Sequence, residues 1–379
     1  MSTPIQKVLV LGAYGFFGSR ICAALVKNPR IHLMLAGRDL SKATAAAYQL
    51  GLSAHHARQL DSTNPDLALQ LRKLGINVVI HAAGPFQGQG YEVARAAIKA
   101  GCHYLDLADG RAFVTGISKL DADARAAGVS VISGASSLPA LTSAVVDKYR
   151  GEFKRLDSIR IGMTSGGLIP GIATLRSILS YCGKPFRTLE NGAWIDVHGW
   201  LDTRQHEFSK SVGVRRIGRC DVPDLDLLPQ RFPVKTVSFH AGFASNTAHQ
   251  AVELLAMQVK ARRLKSALPF ASTLSTLGRW MQPVFSDRGA MFVKLEGLHD
   301  NGARYAHTWN IVARENHGPH IPCAASIALA NKIAAGGKLP TGAMPCMGLL
   351  TVDELMEPLK GLSIREFPPL GPGGLELGS

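Results

Sequence analysis

No run in this 379-residue chain stays apolar long enough to cross a bilayer, which argues against a membrane-spanning protein. The opening MSTPIQKV lacks the basic and then apolar regions of a secretory signal, so the expected compartment is the cytoplasm. Cysteine is sparse and scattered. Cys22, Cys102, Cys182, Cys220, Cys323 and Cys346 form no C-x-x-C pair and no metal spacing, and are expected as reduced, buried thiols. No H-E-x-x-H or H-x-H set accompanies the histidines, so no metal site is expected. The lack of a G-x-S-x-G elbow and of a P-loop lysine removes hydrolase and phosphotransferase readings. Aromatic residues are only 7% of the chain and no RNA- or DNA-binding module is visible, so nucleic acid is not an expected partner. Acids are also short, 28 against 42 Lys and Arg, and the resulting charge of +14 suits anionic small molecules or acidic surfaces. The densest basic cluster, KARRLK (Lys260 to Lys265), follows the apolar AVELLAMQV. It reads as a solvated helix face, with contact to a membrane surface as the less favoured alternative.

What is present describes a globular protein with a real core: 46% hydrophobic and 18% charged residues, over a length that suits two domains. Short β-branched and leucine-rich runs (QKVLVLG, IHLMLAGR, LSAHHARQLD, INVVIHAAGP, CHYLDLAD, VSVISGAS) alternate with helical segments six times. That repeat predicts an α/β, Rossmann-type doubly wound parallel sheet over residues 1–140. From about Leu141 the rhythm changes to longer strands such as LDSIRIGMTSGG, FPVKTVSFHAGF and ARYAHTWNIVARE, separated by long helices. Residues 141–320 are therefore expected to form an α+β domain with a largely antiparallel sheet, suited to substrate and dimer contacts. Residues 321–366 read as a helical segment returning to the first domain, and the Gly-rich 367–379 as a flexible tail.

Gly12, Gly15 and Gly18 in VLGAYGFFG stand directly after the first strand and before the first helix. The three allow a tight turn, close approach of backbone to a pyrophosphate, and close packing of helix on sheet, with the helix N-terminus facing the phosphates. The spacing is G-x-x-G-x-x-G where the commonest dinucleotide fingerprint is G-x-G-x-x-G. Ala13, Tyr14, Phe16 and Phe17 complete the turn. At the end of the second strand, where NAD binders place an acid, LAGRD has Gly37 and Arg38. A guanidinium there pairs with a 2′-phosphate, so NADP(H) is the expected cofactor, with Asp39 toward the ribose and Lys42 toward phosphate. Asp61, ending the third strand, is placed to bond the adenine amino group or to cap the next helix. Ala82, Ala83, Gly84 and Pro85 in HAAGPF are expected along the central ribose and nicotinamide.

Together, VLGAYGFFG, AGRD, VVIHAAGPF, GCHYLDLADG and the late HGPHIPCAASIALANKIA resemble the saccharopine dehydrogenase-like reductase family, in its broad bacterial branch. The resemblance runs along nearly the whole chain. It implies a Rossmann domain, an α+β domain carrying substrate and dimer contacts, and NADP-linked reduction of an imine or a related unsaturated bond. The loop GASSLPALTSAVV (Gly134 to Val146) offers hydroxyls but no clamp for a substrate with several carboxylates.

Hydride transfer requires geometry and a proton donor more than a nucleophile. Asp106, ending the fifth strand, is a candidate to orient an amine or relay a proton, or else a turn residue. His81, at the end of the fourth strand, is the best placed histidine; His317 and His320 are weaker candidates, and His240 reads as a satisfied sheet histidine. Arg111 is either a carboxylate anchor or a loop arginine, and Tyr104 is expected to pack in the core. The expected partner is a small organic molecule, taken up by a homodimer.

Overall fold

The computed structural model describes residues 4–168, 171–281 and 285–367. The chain divides at Leu141, Pro319 and Leu359 into two compact units, the first joining the segment through Leu141 to His320–Leu359, the second joining Thr142–Pro319 to the residues after Leu359. The expected flexible tail lies outside the described residues, apart from Phe367.

Seven strands make the sheet of the first unit. They are β1 (Gln6–Leu11), β2 (Ile31–Gly37), β3 (Ala57–Gln59), β4 (Val78–His81), β5 (His103–Asp106), β6 (Ser130–Ser133) and, from far along the chain, β15 (Gly342–Pro345). Their order is β15-β6-β5-β4-β1-β2-β3, and every pairing is parallel. Parallel strands covered by helices on both faces have no polar side, which is why Val8, Leu9, Val10 and Leu11 are all buried in sequence. The chain runs β1 to β3 in one direction and then returns to place β4 on the other side of β1. That reversal leaves a crevice at the carboxyl ends of β1 and β4, the usual place for a ligand in such a sheet. The helix Ala324–Ala334 packs against β1 and the helix Gly18–Leu25, and nine of its eleven residues are buried.

Nine strands make the second unit's sheet: β7 (Arg155–Thr164), β8 (Pro185–Glu190), β9 (Ala193–His198), β10 (Arg204–Glu207), β11 (Val214–Arg219), β12 (Thr236–Gly242), β13 (Gly289–Leu298), β14 (Arg304–Ala313) and β16 (Ile364–Phe367). The order is β10-β11-β12-β7-β13-β14-β16, with β8 joining β12 and β9 joining β8. All pairings are antiparallel except β7 with β12.

Two details depart from the sequence reading. The segment 321–366 is neither wholly helical nor wholly with the first unit: it supplies β15 to the first sheet, and from Lys360 it belongs to the second unit, where β16 pairs with β14. Both strands have four residues, too short to show a period. The long helical stretch from Asn246 onward is two helices, Asn246–Lys260 and Ala271–Met281, because Arg262 takes a left-handed backbone (φ 58°) and Pro269 cannot continue the first one.

Candidate active site at the carboxyl edge of the first sheet

The glycine turn is built into the crevice. Gly12 sits at φ 89° and donates to the Ala36 carbonyl (2.8 Å), while the Ala82 amide donates to Leu11 (2.9 Å), so the ends of β1, β2 and β4 are tied together. A Cβ on Gly12 would come within 3.0 Å of the Ala83 amide, and one on Gly18 would overlap the Gly12 carbonyl oxygen. Backbone is therefore in contact where a side chain would otherwise stand. Phe17 caps the helix Gly18–Leu25 without a side-chain bond. Among the described residues, nothing accepts from the amides of Phe16, Phe17 or Gly18, which leaves a row of donors at the positive end of the helix for an anion. The Arg20 guanidinium lies 4.4 Å over the Phe16 ring and donates to the Phe16 carbonyl, fixing that side of the turn. Ala13 is buried and serves packing. The Tyr14 ring lies against Gly37, where a Cβ would collide with it, and its hydroxyl accepts from the Asp39 amide (3.1 Å).

Beyond the ends of β2 and β3 the four polar candidates differ in what they have left to offer. Asp39 caps the helix Leu40–Gln49: one oxygen accepts from the Lys42 amide (3.1 Å) and the other faces the Lys42 ammonium (3.5 Å). Asp61 closes a turn, accepting from both the amide and the hydroxyl of Thr63 (2.9 Å each). These bonds hold both carboxyls below the usual aspartate range. Arg38 is exposed, and its carbonyl is held by Gln59 (3.0 Å). No hydrogen bond or ion pair engages its guanidinium among the described residues.

Ala82, Ala83, Gly84 and Pro85 are half-buried at the end of β4. Gln89, which the sequence reading missed, donates from Nε2 to the carbonyls of Ala83 (3.1 Å) and Pro85 (2.6 Å) and so shapes this turn from within. His81 and Asp106, at the ends of β4 and β5, are 2% and 0% exposed and sit in a buried polar network. Asp106 Oδ1 accepts from the Ala108 amide (2.9 Å), the Ser133 hydroxyl (3.0 Å) and the Gly134 amide (2.8 Å). The Ala135 amide donates to the Asp106 carbonyl (2.7 Å), which completes the link between the ends of β5 and β6. His81 Nδ1 meets the Tyr104 hydroxyl at 3.1 Å, and that hydroxyl lies near enough to Asp106 for each to shift the other. Asp106 Oδ2 itself has no partner of normal hydrogen-bond geometry. Burial pushes Asp106 up to about 6 against the pull of its donors, and pushes His81 down to about 4, so the imidazole is neutral at pH 7.

Tyr104 is fully buried, and its hydroxyl is also the link between His81 and Asp106. Such a role has no sequence signature beyond its place two register positions from His81 on the neighbouring strand. Arg111 is half-buried at the start of the helix Arg111–Thr115, beyond the β5 turn. Elsewhere, His317 Nδ1 accepts from the Ser363 amide (2.9 Å) within the second unit, a structural task. His240 is buried in β12 with Nε2 unpartnered. The sequence reading expected a satisfied ring there.

Residues 8–132 match the family model of the saccharopine dehydrogenase NADP binding domain. No curated protein matches the chain. Among solved structures it is similar to apo saccharopine dehydrogenase (L-Glu forming) from Saccharomyces cerevisiae, with TM-score 0.68 and 14% identity over 95% of this chain and 99% of that one. It is also similar to homospermidine synthase from Legionella pneumophila in complex with NAD, with TM-score 0.58 and 8% identity over 99% of this chain and 96% of the other. At such identities these two structures speak for the fold, a Rossmann-like unit followed by a mixed, mostly antiparallel one. The family match covers the first domain, so residues 8–132 are a saccharopine dehydrogenase-type NADP binding domain, and the two structures extend the likeness in fold along the rest of the chain.

Proposed function

We propose that the protein is an NADP(H)-dependent oxidoreductase that moves hydride to a C=N, C=O or activated C=C bond of a small organic substrate. The observation that carries this reading is the pairing of a free row of amides, at Phe16 to Gly18, with an uncommitted guanidinium, Arg38, at the end of the adjacent strand. The amides suit a pyrophosphate and the guanidinium a 2′-phosphate, which is the anion pattern of NADP and not of NAD. The bound nicotinamide would supply the hydride. Ala82 to Pro85, held by Gln89, would form the wall along which it lies.

In this reading Asp106, His81 and Tyr104 are positioning residues. Their hydrogen bonds set where the β5 and β6 turns run, and so where Arg111 stands to anchor a substrate carboxylate. The proton then comes from water or from the substrate's own ammonium. The six cysteines, all buried and none in a disulfide among the described residues, suit a reducing cytoplasm. β9, hydrogen-bonded on one side only among the described residues and carrying the exposed Trp194 and Ile195, suits pairing with a second copy. The absence of an accessible side-chain acid at Asp106 and His81 favours, as a second reading, a protein that binds NADPH without turnover.

The test is a fluorescence titration with NADPH and with NADH, for the natural chain and Arg38→Ala. NADPH should bind at least about tenfold more tightly than NADH, and the substitution should remove that preference by taking away charge-assisted bonds of about 1.5–3 kcal/mol. Equal binding of the two nucleotides by the natural chain overturns the cofactor assignment. Oxidation of NADPH by mixtures of amines and carbonyl compounds decides between turnover and binding alone.

A further inference from the structure

The second unit carries a surface that the proposed chemistry does not use. Between the helices Asn246–Lys260 and Ala271–Met281 the chain makes a basic turn and a single 3-10 turn, Leu268–Phe270. From Leu254 to Met281 it has five cations (Lys260, Arg262, Arg263, Lys265 and Arg279) and no acid. All five are exposed, and none forms an ion pair among the described residues. The helix Ala271–Met281 packs against Ile172–Ser180, turning Ala271 and Ser275 inward. Its opposite face presents Leu277 (54% exposed) and Trp280, whose 83% is the highest exposure of any large apolar side chain described. Leu268 and Phe270 continue this apolar face at 40% and 36%, while Leu254 and Met257 are exposed on the preceding helix.

Folding alone does not account for this pattern. A solvated helix face would carry charge where Leu277 and Trp280 stand, and a core helix would bury them. Apolar and aromatic side chains flanked by unpaired cations, with no acid, match one environment: the interface of a bilayer with anionic headgroups. There an indole and leucines enter the acyl boundary while Arg and Lys meet phosphate. A second copy of this chain is a poor occupant, since like faces would bring two sets of five cations together. Among the described residues, no helix is long and apolar enough to cross a membrane, so any attachment through this face is peripheral.

We propose that the face formed by Leu268, Phe270, Leu277 and Trp280, with its flanking cations, docks this protein onto anionic lipid bilayers. The experiment is vesicle sedimentation of the full chain with phosphatidylcholine alone and with phosphatidylcholine plus phosphatidylglycerol, alongside two variants, Leu277→Asp/Trp280→Asp and Arg262→Glu/Arg263→Glu. NADPH binding serves as a control for folding of the first unit. Expected are partitioning at least about tenfold higher on the anionic vesicles, weakening as salt rises, and a comparable loss in both variants with nucleotide binding unchanged. Tryptophan emission should shift to the blue on binding in the natural chain, and the shift should shrink in the Trp280 variant. Three results overturn the proposal: no preference for anionic vesicles, loss only in the arginine variant, which marks simple electrostatic adsorption, or lipid-independent self-association that the Leu277→Asp/Trp280→Asp variant abolishes.

Discussion

At the level of single residues, Asp106 makes the sharpest claim, because its burial has a pH signature. Its carboxyl is raised to about 6 in the folded chain, against an ordinary value of 3.8. Between those two values the unfolded chain has released a proton that the folded chain still holds, so stability falls as pH rises through this window. The fall amounts to about 3 kcal/mol and is complete by about pH 7. His81 acts in the opposite sense. Its folded value of about 4 lies below the ordinary 6.5, so its contribution to stability is present above 6.5 and is lost as pH falls toward 4. Asp106→Asn removes the first effect and leaves the second. Relative to the natural protein, the variant should therefore gain stability as pH is raised from 4 to 7, whatever its absolute melting temperature. Urea melts at several pH values test this, and a constant difference between the two proteins would refute the buried-carboxylate account. Gly18 makes a second claim. A methyl group at this position meets backbone, the Gly12 carbonyl oxygen, which cannot swing aside as a side chain would. Gly18→Ala should cost about 1–3 kcal/mol of stability and open the turn, weakening NADPH binding at least about tenfold in a fluorescence titration.

Among the elements, what could be read from sequence depended on length and periodicity. The central strands of the first sheet and the glycine turn are legible because continuous apolar runs and a glycine triplet each have one economical interpretation. β15 and β16 are not, since four residues cannot show a period and neither pairs with a strand next to it in the chain: β15 joins β6, and β16 joins β14 across the returning segment. The site was legible in the same uneven way. The turn from Gly12 to Gly18 and Arg38 could be found by their spacing after strands. The roles of Tyr104 and Ser133 depend on which strands become neighbours, and sequence order hides that, while Gln89 acts within its own turn, where no spacing rule marks it. The strand-end positions of His81 and Asp106 are legible, but their burial is not. A period of two along a strand fixes alternation but not which face is open when both are covered. One element effect is directly testable. Ser245 caps the helix Asn246–Lys260 by accepting from the amides of Thr247 (3.2 Å) and Ala248 (3.4 Å). Ser245→Ala should cost about 1 kcal/mol. Calorimetry should place that loss in the second unit, and NADPH affinity should not change.

Across the whole molecule, the first unit is discontinuous, so its stability depends on a segment that follows nearly the entire second unit. The helix Ala324–Ala334 covers β1 and the helix Gly18–Leu25, whose Ile21, Cys22 and Leu25 are fully buried. Asn331 bonds Asn28 across this contact (2.8 Å), and β15 covers the otherwise open edge of β6. A chain ending at Leu141 would lose both, exposing an apolar helix-binding face together with an unpaired parallel edge, a combination that favours aggregation. Leu141 closes a turn, Ser137–Leu141, that packs against the same helix, so its end and His320 lie on neighbouring structure within the unit. A short Gly-Ser linker from Leu141 to His320 should therefore rebuild the unit without the second one. The expected order is clear: the chain ending at Leu141 should melt without cooperativity and fail to enhance NADPH fluorescence. The linked chain, closed with residues 320–359, should melt as one transition and bind NADPH within about tenfold of the full protein, since every residue assigned to the phosphates lies in it. If the shorter chain bound NADPH as well as the full protein, the returning segment would be a passenger on the first unit, and the fold would need no contribution from beyond Leu141.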